Sequence, residues 1–125
     1  MNENEISYII RNAIYEVYEE LGPGLLESSY EFALKLELEA AGLRVKSQVE
    51  LPLKYKDHFL QNAYKLDLLV EDKVIIELKS VDMINKVHHK QLITYLRHSN
   101  LKLGILVNFN TDFLKDNIFR KVNNL

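Results

Sequence analysis

Asp67, Glu77, Lys79 and Glu27 are charged residues set where the surrounding pattern calls for apolar ones, and together they could bind a cation and act on a phosphate. In Val74-Ile75-Ile76-Glu77-Leu78-Lys79, strand alternation puts Val74, Ile76 and Leu78 on one face and Ile75, Glu77 and Lys79 on the other. Glu77 and Lys79 then project side by side, about 6.6 Å apart along the strand. In Lys65-Leu66-Asp67-Leu68-Leu69-Val70, the same rule groups Leu66, Leu68 and Val70 and leaves Asp67 on the opposite face with Leu69. A three-residue turn, Glu71 to Lys73, makes Val70 oppose Val74 and Asp67 oppose Glu77, with Cβ atoms about 5 Å apart. A two-residue turn would set Asp67 against Ile76 and scatter the carboxylates. Two facing acids repel and are costly to bury. Lys79 can offset part of that cost, and a divalent ion suits hard oxygen ligands better. An acid–lysine cluster on a solvated sheet face explains the same residues about equally well.

Glu27 lies three residues before Tyr30 and seven before Leu34, on the border of a helical apolar stripe. From there it could reach the strand acids. A favourable interaction with the helix macrodipole accounts for it equally well. His88, Gln91 and Tyr95 share one face of a later helix at three- and seven-residue steps. By type alone they are the polar margin of an amphipathic helix, with His88 a partly buried structural histidine and its neighbour His89 facing solvent.

These residues need a scaffold, and hydrophobic periodicity supplies one. Ile6, Ile10, Ala13, Ile14, Val17 and Leu21 mark a helix over 6–21, stopped by Gly22-Pro23-Gly24. A second helix runs from Leu26 to Ala41 with Leu26, Tyr30, Leu34 and Leu38 on its stripe. From Leu43 the period is two. It predicts strands at 45–53, 54–61, 65–70 and 74–79. A helix over 83–99 follows, N-capped by Asp82, then a buried strand at 103–109 and a short helix over 111–122. The order ααββββαβα, with a strand–helix–strand crossover over 74–109, gives a mixed α/β sheet flanked by helices.

The 125 residues form one expected domain, 1–125, and 47% apolar content is enough for a real core. The absence of cysteine removes disulfides, thiol nucleophiles and Cys-type zinc sites. No apolar run approaches the ~18 residues of a membrane span, and the polar start of the chain is no secretory signal. A cytoplasmic protein is the expectation. Net charge is −2, which gives no global attraction to nucleic acid. The charge is nevertheless uneven: residues 1–42 carry 2 basic and 9 acidic groups, and residues 83–125 carry 7 and 2. The basic end could face phosphate or be scattered solvated lysine.

Gly24-Leu25-Leu26-Glu27-Ser28-Ser29-Tyr30 matches the signature of the GxxExxY proteins. Asp67 with Glu77-Leu78-Lys79 matches the D…ExK constellation, and Gln91-Leu92-Ile93-Thr94-Tyr95 the QxxxY helix motif. From about Ile6 to Leu125 the chain resembles the GxxExxY family, grouped with the PD-(D/E)XK nuclease superfamily. Leu66 stands where the superfamily's name has proline, and Tyr18 where relatives often carry histidine. The resemblance implies a restriction-endonuclease-like core and hydrolysis of phosphodiester bonds in DNA with Mg²⁺ or Mn²⁺. It further implies Asp67, Glu77 and Glu27 as metal ligands, Lys79 as the residue that orients water or stabilises charge, and Gln91, Tyr95 and His88 as substrate-positioning groups. The alternative is a weak or inactive nucleic-acid-binding or assembly module on the same fold. With so little chain for a separate reading domain, specificity would come from a homo-oligomer or a partner protein.

Overall fold

A computed structural model describes residues 1–125. The chain runs α1 (Glu3–Leu21), α2 (Glu27–Ala40), β1 (Val45–Tyr55), β2 (His58–Val70), β3 (Val74–Lys79), α3 (Lys86–Ser99), β4 (Leu103–Asn108), a 3₁₀ turn (Leu114–Asn117) and β5 (Ile118–Val122). The five strands form one mixed sheet in the order β1-β2-β3-β4-β5. Only β3 and β4 are parallel; the other pairs are antiparallel.

Helices cover both faces because the strands present apolar side chains on both. On one face Leu68, Val70, Val74, Ile76 and Leu78 pack with Ile10 and Ile14 of α1 and Tyr30 and Leu34 of α2. On the other, Ile75 and Leu106 pack beneath Leu92, Tyr95 and Leu96 of α3. The parallel pair is the most enclosed: Leu103 to Asn108 are all buried, as expected for strands covered on both sides. No helix is long and apolar enough to cross a membrane.

The three-residue turn is present, with Val70 opposite Val74. Four expectations are corrected. The segments 54–61 and 65–70 are not separate strands. β1 continues to Tyr55, the turn falls at Lys56-Asp57, and β2 is a single 13-residue strand. Lys56 takes a left-handed φ of 55° without a glycine to signal it. Helix α3 starts later than expected, and its N-cap is Asn85, not Asp82. Asn85 accepts from the amides of Val87 and His88, while His88 Nδ1 accepts from the Asn85 amide. Residues 118–122 are a strand, not a helix. Ile118 and Phe119 pack on opposite faces of the sheet, a period-two arrangement made available by the open edge of β4. Finally, Leu66 lies in the α3-side cluster while Leu68 lies in the α1/α2-side cluster. Alternation therefore breaks at Asp67, and the three leucine/valine positions do not share one face.

Candidate active site

The break at Asp67 is where the acids meet. The β2–β3 ladder pairs Val70, Leu69 and Leu68 with Val74, Ile75 and Ile76, and ends there. Beyond it the carboxylates replace the backbone partners. The Asp67 amide donates to Glu77 Oε2 at 2.9 Å, and the Leu78 amide donates to Asp67 Oδ2 at 2.8 Å. Each acid thus satisfies the strand that carries the other, which fixes both headgroups at the point where the hairpin splays. Across β2, the β1 ladder passes from Ser47–Leu68 to Val49–Leu66 and omits the position between. Gln48 occupies that position with φ 51° inside a strand. A glutamine held in the left-handed region costs about 1 kcal/mol or more, and such strain concentrates at functional sites. Here it turns the Gln48 amide toward Glu31, with Nε2 donating to Oε1 at 2.7 Å.

Helix α2 brings further acids. Tyr30, fully buried, stacks on Phe109 with ring centroids 4.4 Å apart. Its hydroxyl donates to the Gly22 carbonyl at 2.6 Å and accepts from the Leu25 amide at 3.1 Å. Ser80, next to Lys79, donates to the Leu25 carbonyl at 2.5 Å. These contacts tie the α1–α2 loop to the end of β3 and place Glu27, exposed, in the first turn of α2. Glu27, Glu31, Gln48, Asp67 and Leu78 line a cleft of about 230 Å³. Glu77 is not on its wall and is only 5% exposed.

Electrostatics follow from that placement. Burial, then the neighbouring Asp67, pushes the Glu77 carboxyl up to about 8. Burial also raises Asp67, opposed by its bond from the Leu78 amide and by Lys79. Burial raises Glu31 as well, against the bond from Gln48. Lys79 is half-buried and belongs to none of the three ion pairs. On the α3 side Tyr95 is buried with its ring 5.1 Å from that of Tyr64. Burial, then Glu77 and Asp67, raises its phenol.

The structure therefore joins Asp67 and Glu77 directly, sets Glu27 on the cleft that Asp67 lines, and keeps Lys79 on the same strand as Glu77. Tyr95 lies within the field of the two strand acids, whereas Gln91 is exposed one turn earlier. His88 is engaged in the α3 capping box. His89 does not face solvent: it is half-buried edge-on against Phe119, at 4.7 Å. Tyr18 donates to the Thr111 carbonyl and fastens α1 to the loop that follows β4, beside the end of β3 that carries Lys79. Glu31 and Gln48 were missed from sequence. The four-residue step from Glu27 was a signal for Glu31, but nothing local marks Gln48.

Nowhere do three acidic or histidine side chains cluster closely enough to hold a metal ion. The chemistry of the donors nonetheless suits a hard cation. The cleft offers carboxylate oxygens without thiols, and burial raises two of its acids, Asp67 and Glu31, in spite of nearby lysines. A model of the PD-(D/E)XK nuclease superfamily matches residues 4–121. No curated protein and no solved structure matches the chain.

Proposed function

Because the chain belongs to the PD-(D/E)XK nuclease superfamily, we propose that it is a divalent-metal-dependent hydrolase of phosphodiester bonds, acting on DNA as one domain spanning residues 1–125. The observation that carries this reading is the reciprocal clamp at Asp67 and Glu77. It brings two carboxyls together at an ionisation cost that a bound cation would offset. Asp67 and Glu77 would hold the ion, with Glu27 and Glu31 at the cleft wall engaging it directly or through water. When bound, Mg²⁺ or Mn²⁺ would acidify water and offset charge on the phosphate. Lys79, uncommitted to any ion pair, would donate to the attacking water or to the phosphate oxygens. Tyr30 fixes the loop that leads into the first turn of α2, where Glu27 lies. Tyr95 and Gln91 would support the site from the α3 side. The Gly24-to-Tyr30 motif supports a place among the GxxExxY proteins, and the lack of cysteine suits the cytoplasm.

A panel of single-stranded, double-stranded and nicked DNA and of RNA, with Mg²⁺ or Mn²⁺, tests the reading. Wild type should cleave at least one substrate in a chelator-sensitive way. Lys79→Ala and Glu77→Gln should lose that activity while keeping the fold. Cleavage by Glu77→Gln at the wild-type rate would overturn the assignment. The wide spacing of the acids favours one second reading, a binding module without hydrolysis. It would show as oligonucleotide binding with no cleavage under any metal.

A further inference from the structure

The β1–β2 hairpin stands out from the body of the protein, and its tip is chemically unlike its base. Every residue from Lys54 to Asn62 is exposed. At the base, the cations are neutralised: Arg44 pairs with Glu71, Lys46 with Asp72 and Lys65 with Glu50. At the tip, Lys54 and Lys56 pair with no acid, although Asp57 lies between the strands. They lie instead over aromatic rings, Lys54 at 6.0 Å from the centre of Phe59 and Lys56 at 5.5 Å from that of Tyr55. Those rings are 61% and 65% exposed. Phe59 shares a ribbon face with Lys54, and Tyr55 lies on the opposite face across from His58. Free positive charge interleaved with open aromatic faces is the combination that holds unpaired nucleotides, by phosphate attraction and base stacking.

We propose that the tip of the β1–β2 ribbon is a holding site for single-stranded nucleic acid, with Tyr55 and Phe59 as stacking platforms and Lys54 and Lys56 as phosphate contacts. The proposal deepens the nuclease reading and rests on it, since it assigns the unpaired flank of the substrate to this ribbon. An unpaired strand fits better than a duplex, because rings on opposite faces of a ribbon can stack only on bases not already stacked. Along β1, eight residues separate Gln48 at the cleft from Lys56, or roughly 25 Å. A strand must cover that distance to engage the cleft and the tip together.

The test is fluorescence anisotropy of full-length protein with labelled oligothymidine in Mg²⁺, on Glu77→Gln to prevent cleavage. Tyr55→Ala and Phe59→Ala, each made on that background, should weaken binding of a strand of about twenty nucleotides roughly tenfold. They should leave binding of one of about three nucleotides nearly unchanged, because so short a strand held at the cleft ends before the tip. Lys54→Ala with Lys56→Ala should flatten the log–log salt dependence by about 1.4. Sedimentation of the same variants reports any self-association. Full affinity in the tip variants while the parent binds would overturn this proposal and leave the nuclease reading standing. So would a change in oligomeric state without a change in affinity, which would make the tip a protein contact. If the parent and wild type bind no oligonucleotide in Mg²⁺, both ideas fall.

Discussion

Replacing Glu77 by glutamine should stabilise the protein at neutral and alkaline pH, even as it removes activity. The buried carboxyl titrates at about 8, against 4.5 for an ordinary glutamate. Between those values the folded state keeps a proton that the unfolded chain has released. Folded protein therefore binds more protons, and stability falls as pH rises through this window. At ~1.4 kcal/mol per pH unit, the loss reaches roughly 3 kcal/mol by pH 7 and levels off above pH 8. Glutamine has nearly the same shape, carries no charge and can still accept from the Asp67 amide. It should cancel most of that slope. Urea denaturation of wild type and Glu77→Gln from pH 5 to pH 9 measures this directly. The curves should converge near pH 5 and diverge by a few kcal/mol at pH 9, with the variant the more stable. Parallel curves, or a variant that is weaker at pH 9, would refute the claim that Glu77 is held protonated by its surroundings.

Other expectations are quicker to check. Saturating Mg²⁺ or Mn²⁺ should raise the wild-type melting temperature, by about 2.7 kcal/mol of linkage at a hundred times Kd, and should raise that of Asp67→Asn far less in the same thermal-shift assay. Tyr30→Phe removes both hydroxyl bonds to the Gly22–Leu25 loop. It should cost about 1–2 kcal/mol and reduce cleavage through the freed loop that precedes Glu27, visible as paired denaturation and activity losses. Gly104→Ala would place its methyl 2.7 Å from a methyl of fully buried Leu92. It should lower the unfolding free energy by about 1–3 kcal/mol, read by urea denaturation, as the α3–β4 contact is forced apart.

The site also bears on how function and folding share residues. The ladder between β2 and β3 stops after Leu68–Ile76, yet no amide is stranded there, because the two carboxylates accept the bonds the strands no longer exchange. The same acids that would hold an ion thus hold the splayed hairpin when no ion is bound. The cost appears as the raised Glu77 and Asp67 carboxyls, a pattern of strain retained where chemistry is done.

Much of this was legible in the chain. The core faces of α1 and α2, the apolar strands β3 and β4, and the Glu71–Lys73 turn that faces Val70 with Val74 all follow from local spacing. The turn length also anticipates that Asp67 comes near Glu77, but the expected ladder pair is not formed: pairing ends at Leu68–Ile76, alternation breaks at Asp67, and the acids meet through side chain-to-amide bonds. Three things needed the folded molecule. Residues 118–122 became a strand because β4 had an open edge to offer, and edge pairing overrides weak local preference. Gln48 joined the cleft because its backbone turns left-handed opposite Asp67 while the ladder on either side keeps its register, an arrangement no local sequence signal announces. The continuous β1–β2 ribbon, with its lysines and rings held away from the core, depended on a turn at Lys56-Asp57 that no glycine announces. Sequence spacing reports what neighbours along the chain prefer. Which carboxylates end up sharing one cleft, and which cations are left without a partner, is settled only when distant segments compete for the same space.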